Sequence, residues 1–259
     1  MIDVAVAGAT GKLGSMVCSL IREQKDMRLV GAVVSAEGGK VGLELYPGVI
    51  TMGPEGLEDL CHRCTVLVDV TSASAAERNL PVAVSAGANV VVGTTGFSPD
   101  FMERFRSCLA ESGGSALVTP NFSIGVNVFW KACQMLARAL PDYEVEIIEM
   151  HHDKKKDAPS GTAVKAAQLI SAEIGVSHMV HGREGMVGAR GREIGIHAVR
   201  AGDIVGEHTV IFAGNRERIE LTHKAHSRLA FAEGCVAAVR WVALLKDGKV
   251  HGMGEVLGI

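Results

Sequence analysis

Nothing in this 259-residue chain stays apolar for the roughly 20 residues that a bilayer-spanning helix needs. The opening residues, Met1 to Gly8, carry no basic leader and no small-residue cleavage site, so no targeting segment is expected and the chain is expected in the cytoplasm. Charge of one sign is also lacking. Lysine and arginine number 26 against 29 acids, a net charge of -3, so no field gathers nucleic acid or an anionic membrane. There is no internal repeat, low-complexity tract or long linker. Of six cysteines, only Cys61 and Cys64 have C-x-x-C spacing. A structural zinc would need a second such pair, so the cysteines read as reduced thiols and no metal is expected; a redox role for the pair is the lesser alternative.

What is present is 47% hydrophobic residues, over a length that suits one large domain or two smaller ones. The first half alternates short apolar runs with helical patterns. Residues 2–6 read as a strand, after which Leu13, Met16, Val17, Leu20 and Ile21 share one helical face. Residues 29–34, 66–70, 90–92 and 116–118 read as further strands, with helices expected over 75–86, where Pro81 intrudes, and over 101–110. Strand then helix in repeated order implies a doubly wound parallel sheet. After Asn121 the character changes. A helix is expected over 126–140, a strand over 143–150, a helix over 162–174 and a Gly- and Arg-rich loop over 182–191. Strands of an open sheet follow at 193–200, 207–212 and 218–222, then a last helix over 229–245.

Gly8-Ala9-Thr10-Gly11-Lys12-Leu13-Gly14 has G-x-x-G-x-x-G spacing between the first strand and the first helix. Glycines there allow a tight turn, and the helix start offers N–H groups to a pyrophosphate. Past the second strand, Glu37 would bond a ribose 2′-hydroxyl and favour NAD, whereas Ser35 and Lys40 would meet the 2′-phosphate of NADP; all three also suit a solvated loop. Gly93-Thr94-Thr95-Gly96 and Thr119-Pro120-Asn121-Phe122-Ser123 each follow a buried strand, which places them at the carboxyl end of the sheet.

The densest chemistry runs from Glu149 to Thr162. His151 and His152 end a strand, where consecutive side chains point to opposite faces. Three lysines follow, and Ser160-Gly161-Thr162 opens a helix with Ser160 as its cap. Lysine runs are usually solvated and a cap needs no ligand. Their convergence with two histidines beside a dinucleotide fold points to a site that holds an anion and delivers protons.

From Glu149 to Ala163 the chain resembles the E-x-H-H-x-x-K-x-D-A-P-S-G-T-A signature of the dihydrodipicolinate (4-hydroxy-tetrahydrodipicolinate) reductase family of lysine biosynthesis. The likeness extends to the Gly8–Gly14 turn, Gly93-Thr94-Thr95-Gly96, Pro120-Asn121-Phe122-Ser123, Glu193-Ile194-Gly195, Gly206-Glu207-His208-Thr209 and Thr222-His223-Lys224-Ala225, and so spans the chain. It implies reduction of a cyclic hydroxy dicarboxylate, with loss of water, by NADPH or NADH. It implies His151 as the catalytic histidine, Lys155 as the proton donor, and His152, Ser160, Gly161 and Thr162 as contacts of a substrate carboxylate. Gly8, Ala9, Thr10, Gly11, Lys12, Leu13, Gly93, Thr94, Thr95, Thr119, Pro120, Asn121 and Phe122 match the family's cofactor contacts. Lys154 and Lys156 become bystanders. The implied architecture is a Rossmann-type domain of residues 1–122 with 230–259, and an α+β domain of residues 123–229 whose open mixed sheet binds substrate and builds a homotetramer.

The sequence departs from the pattern at Ser35-Ala36, where many members have Glu-Arg, at Val70 in place of Phe, and at Asp153 in place of a base. Two other classes compete. A semialdehyde dehydrogenase normally needs an active-site cysteine, and none of the six stands in such a context. A non-catalytic nucleotide-binding regulator has no use for the His-His, Lys and Ser-Gly-Thr set.

Overall fold

A computed structural model describes residues 1–259, which form two compact units. One comprises residues 1–124 with 229–258; the other comprises residues 125–228 with Ile259. The first unit runs β1 (Ile2–Ala7), α1 (Lys12–Glu23), β2 (Met27–Val33), β3 (Glu44–Tyr46), β4 (Val49–Met52), α2 (Leu57–Cys61), β5 (Val66–Asp69), α3 (Ala73–Ser85), β6 (Asn89–Val92), α4 (Pro99–Ser112) and β7 (Ala116–Val118). The second holds α5 (Ile124–Ala139), β8 (Glu144–His151), α6 (Gly161–Ile174), β9 (Met179–Val180), β10 (Ile194–Arg200), β11 (Glu207–Gly214) and β12 (Glu217–Lys224). The chain then returns to the first with α7 (Leu229–Val242), β13 (Val250–His251) and α8 (Met253–Leu257).

The first sheet has the order β13-β7-β6-β5-β1-β2-β4-β3, and only β3 with β4 is antiparallel. This is the expected α/β, doubly wound Rossmann-type sheet. Its central strands read as unbroken apolar runs because both faces are covered: Val4, Ala5, Val6, Ala7, Val66, Leu67 and Val68 have no exposed surface. Val17, Cys18 and Ile21 of α1 meet Cys235, Val236 and Val239 of α7 on one face. Leu60, Leu80, Phe105 and Leu109 cover the other. Helix α3 continues through Pro81, which stands at a half-buried position while Ala76, Leu80, Ala83 and Val84 face the core.

The second sheet has the order β12-β11-β8-β10-β9, with β10 parallel to β8 and β11 antiparallel to both its neighbours. It is the expected mixed sheet. Helices α5 and α6 cover one face, packing Phe129, Trp130, Cys133, Ala166 and Ile170 against Val145, Ile147, Ile196, Val210 and Phe212. The other face carries half-buried Ile148, Met150 and Ile211 and contributes nothing to this core.

Several elements have no counterpart in the periodicity. Strands β3, β4, β9 and β13 and helices α2 and α8 span two to five residues, too few to show a repeat.

Candidate active site

In the first unit the link from β1 to α1 is built on glycine. Gly8 has φ +82°, and a Cβ there would stand 2.6 Å from the Val70 carbonyl oxygen. A Cβ on Gly14 would collide with the Gly8 carbonyl oxygen. Both obstacles are backbone, so no rotamer relieves them. Gly11 precedes α1 and gives its first turn no side-chain bond, which leaves the Lys12 and Leu13 N–H groups to an anion. Gly8, Thr10 and Gly11 line a cavity of about 390 Å³ with Ser35, Thr71 and Arg78, among others. It lies at the carboxyl ends of β1, β2 and β5, where the strand order reverses and dinucleotides bind in such sheets. The residues therefore fit the pyrophosphate of a nicotinamide dinucleotide. At the adenosine end, Ser35 lines the cavity and its hydroxyl accepts the Glu37 N–H at 3.2 Å, while the Glu37 and Lys40 side chains are exposed.

Asp69 is wholly buried at the end of β5, in an otherwise apolar run that gives it no periodic signal of its own. It accepts the Thr71 N–H and hydroxyl at 3.1 and 2.7 Å, the Thr94 hydroxyl at 2.9 Å and the Asn79 amide at 2.9 Å. One carboxylate thus joins the turn after β5, α3 and the segment Gly93-Thr94-Thr95. A Cβ on Gly93 would stand 2.5 Å from the Phe122 ring, so Gly93 lets that ring close over the strand end. The Thr119 hydroxyl donates to the Asn121 carbonyl at 2.8 Å, which folds that turn on itself. Cys61, the last residue of α2, and Cys64 are both buried in the core on that face of the sheet.

In the second unit, alternation along β8 puts Val145, Ile147, Glu149 and His151 on the helix-covered face. Glu149 has no exposed surface. Its Oε2 lies 2.6 Å from His151 Nδ1 and accepts Arg200 Nη1 at 2.9 Å, while Oε1 accepts Arg200 Nη2 at 2.7 Å and the Ser160 N–H at 3.0 Å. Burial opposes the ionised form, but Arg200, His151 and the Ser160 N–H outweigh it and hold the carboxyl below the ordinary range. With Nδ1 turned to Glu149, Nε2 is the atom of His151 left to handle a proton. It faces Gly206, where a Cβ would come within 3.0 Å. Burial holds the His151 pKa below its usual value, and Glu149 opposes that fall.

His152 lies just past the strand, half-buried, with its Nδ1 unpartnered. The Lys155 ammonium donates to both oxygens of Asp157, at 2.9 and 2.8 Å, and its side chain is 21% exposed, whereas Lys154 and Lys156 are exposed. Ser160 caps α6: its hydroxyl accepts the Ala163 N–H at 3.3 Å and lies 3.0 Å from His208 Nε2. Gly161 has open space around its Cα, and the Thr162 carbonyl accepts the Trp130 indole N–H at 3.0 Å, which pins the first turn of α6 to α5. An imidazole, an ammonium and a capped helix start thus gather within the second unit. Together they can hold a carboxylate and deliver protons.

Arg200 comes from β10 and carries no local signal, and His208, although it stands in the Gly206-Glu207-His208-Thr209 likeness, has nothing in its own strand that ties it to Ser160. Glu149 had a local signal, since an acid two residues before a strand histidine shares its face.

Residues 2–122 match the family model described as dihydrodipicolinate reductase, N-terminus, and residues 125–257 match the one described as its C-terminus. The 4-hydroxy-tetrahydrodipicolinate reductase of Methanosarcina barkeri is 46% identical over 265 residues, covering 100% of both chains. That of Methanothermobacter thermautotrophicus is 47% identical over 272 residues, again covering 100% of both. Among solved structures, a dipicolinate-bound dihydrodipicolinate reductase from Paenisporosarcina sp. TG-14 has a TM-score of 0.84 and 28% identity over 98% of this chain and 99% of that one.

Proposed function

The chain belongs to the dihydrodipicolinate reductase family, and from that premise we propose how its own residues serve the reaction. The activity is reduction of 4-hydroxy-tetrahydrodipicolinate to tetrahydrodipicolinate with NADH or NADPH, in lysine and diaminopimelate biosynthesis. The net change adds a hydride and a proton and removes one water molecule. When bound, the nicotinamide supplies the hydride. Gly8 to Leu13, Gly93 to Thr95 and Thr119 to Phe122 hold the dinucleotide, with the Lys12 and Leu13 amides on its pyrophosphate.

The second unit holds the dicarboxylate. Ser160, the first turn of α6 at Gly161 and Thr162, and His152 bind one carboxylate. The observation that carries this reading is Glu149, whose single buried carboxylate bonds both the His151 ring and the Ser160 backbone. It fixes the proton-handling histidine relative to the anion-binding helix start. The arriving dianion raises the pKa of His151, so that Nε2 takes a proton and passes it on. Lys155, drawn from Asp157 by the substrate's charge, supplies the proton with which the hydroxyl leaves as water, and the proton that His151 passes on is the one it takes from the ring carbon beside that hydroxyl, so the net uptake is one.

Four copies assemble through the open face of the second sheet, where Ile148, Met150 and Ile211 are half-buried. The reaction runs in the cytoplasm; no helix is long and apolar enough to cross a membrane. Light scattering is expected to give four times the subunit mass.

The test follows NADPH and NADH oxidation with substrate made in situ by the preceding synthase. His151→Gln and Lys155→Met should each lose about 100-fold or more in kcat, the lower end of general acid–base contributions, while Lys154→Met keeps the parent rate. Near-parental turnover in both variants would overturn the assignment.

A further inference from the structure

His208 stands where an alternating strand ordinarily places an aliphatic residue. It is 4% exposed, and its neighbours on the same face of β11 are Val210 and Phe212, both wholly buried. Around it lie the His151 ring, edge-on at 5.2 Å, and the rings of Phe129 and His223 at 6.3 and 6.4 Å. Its Nε2 lies 3.0 Å from the Ser160 hydroxyl. Its Nδ1 is buried and has no hydrogen-bond partner.

Those two nitrogens decide the proton's place. If Nε2 accepted from Ser160, the ring proton would sit on Nδ1 as a buried donor facing nothing. If Nε2 carries the proton, it donates to Ser160 and the bare Nδ1 is only an unused acceptor. Orphaned buried N–H groups are the rarer defect in folded proteins. A doubly protonated ring is excluded as well: burial, with His151 beside it, pushes the His208 pKa down to about 3 against the pull of Glu149.

The consequence falls on Ser160. A hydroxyl has one proton and two lone pairs. The Ala163 N–H occupies one lone pair at 3.3 Å, and the His208 N–H occupies the other. We infer that His208 is a positioning residue that makes Ser160 an obligate donor, with its hydroxyl proton aimed at the substrate carboxylate. Without His208, the hydroxyl could rotate and present a lone pair to an anion. With it, the donor is set before the anion arrives, and no reorientation is needed on binding. The inference rests on the assignment of Ser160 to a substrate carboxylate.

Two measurements test it. Long-range 1H–15N correlation on protein labelled in its histidines should show His208 neutral, with its proton on Nε2, throughout the range around neutral pH. A proton on Nδ1, or a ring that charges near pH 6.5, overturns the inference without any variant having to fold. Kinetics supply the second. His208→Met should raise KM for the cyclic substrate about tenfold, the loss expected for one hydrogen bond to a charged group, and leave kcat nearly unchanged. His208→Gln, which retains an N–H at similar reach, should recover most of the loss. In a Ser160→Ala background, His208→Met should add nothing further. If Ser160→Ala raises KM and His208→Met does not, this inference alone fails. If Ser160→Ala leaves KM unchanged, the carboxylate assignment fails and this inference falls with it.

Discussion

Replacing Glu149 with glutamine keeps the side-chain volume and removes the charge on which four donors converge. In the parent, those donors are His151 Nδ1, the two Arg200 nitrogens and the Ser160 N–H, at 2.6 to 3.0 Å. An amide has one acceptor oxygen and an NH2, so some of these donors must face an N–H. Removing one partner of a buried pair costs about 3–5 kcal/mol. The Arg200 side chain is 18% exposed and can be partly rehydrated, which puts the expected cost near the lower end, about 3 kcal/mol. At roughly 2–4 °C per kcal/mol for a chain of this size, Tm should fall by about 6–12 °C. The sign with pH follows from the depressed pKa of Glu149. Its contribution is present above the unfolded value of about 4.3 and is lost as pH falls through the folded value, so the two proteins should converge in acid. Activity should suffer separately. The charged acceptor that keeps the His151 proton on Nδ1 is gone, and an amide N–H turned to Nδ1 would move that proton to Nε2, so kcat should drop about 100-fold well below the thermal transition. The acid limb of the kcat profile should also move down in pH, because the charge that raises the His151 pKa is removed. A variant with Tm within about 2 °C of the parent and kcat within about threefold would refute the reasoning on both counts.

Two further outcomes are expected. Gly14→Ala puts a methyl group against the Gly8 carbonyl oxygen, so the turn must open; overpacking of this kind costs about 1–3 kcal/mol, and a fluorescence titration should show NADPH binding weakened about tenfold or more, a parental Kd being the contrary result. His251 is bonded to Glu255 at 2.7 Å and Asp247 at 3.0 Å; burial would lower its pKa, but the two acids prevail and raise it. Its stabilisation is therefore full below the unfolded value of about 6.5 and lost as pH rises through the folded one. The Tm gap between the parent and His251→Gln should be widest near about pH 6 and narrow by about pH 9, and a gap independent of pH would count against a stabilising charge on His251.

What could be read from the chain alone was whatever is local. The buried strands β5 and β6 announce themselves as Val-rich runs because both their faces are covered, and the helix start at Ser160 announces itself through its cap. The edge strands β3 and β4 do not, being three and four residues long and half solvated. The site divides the same way. His151, Lys155 and Ser160 lie within ten residues, so their types and spacing make a motif. Arg200 and His208 lie about 50 residues away, and only pairing brings them in: β10 runs parallel to β8 and sets Arg200 opposite His151, while β11 runs antiparallel and sets His208 opposite Glu149. That register is the missing information, and it is unforgiving. A slip of one residue along β11 would set Glu207 or Thr209 opposite Glu149 and turn His208 to the open face, since side chains alternate with period two. The buried Val210 and Phe212 prevent it, because the same slip would expose both of them. The apolar alternation that looks like mere core packing is thus also what delivers a histidine to the hydroxyl of a helix cap from another part of the chain.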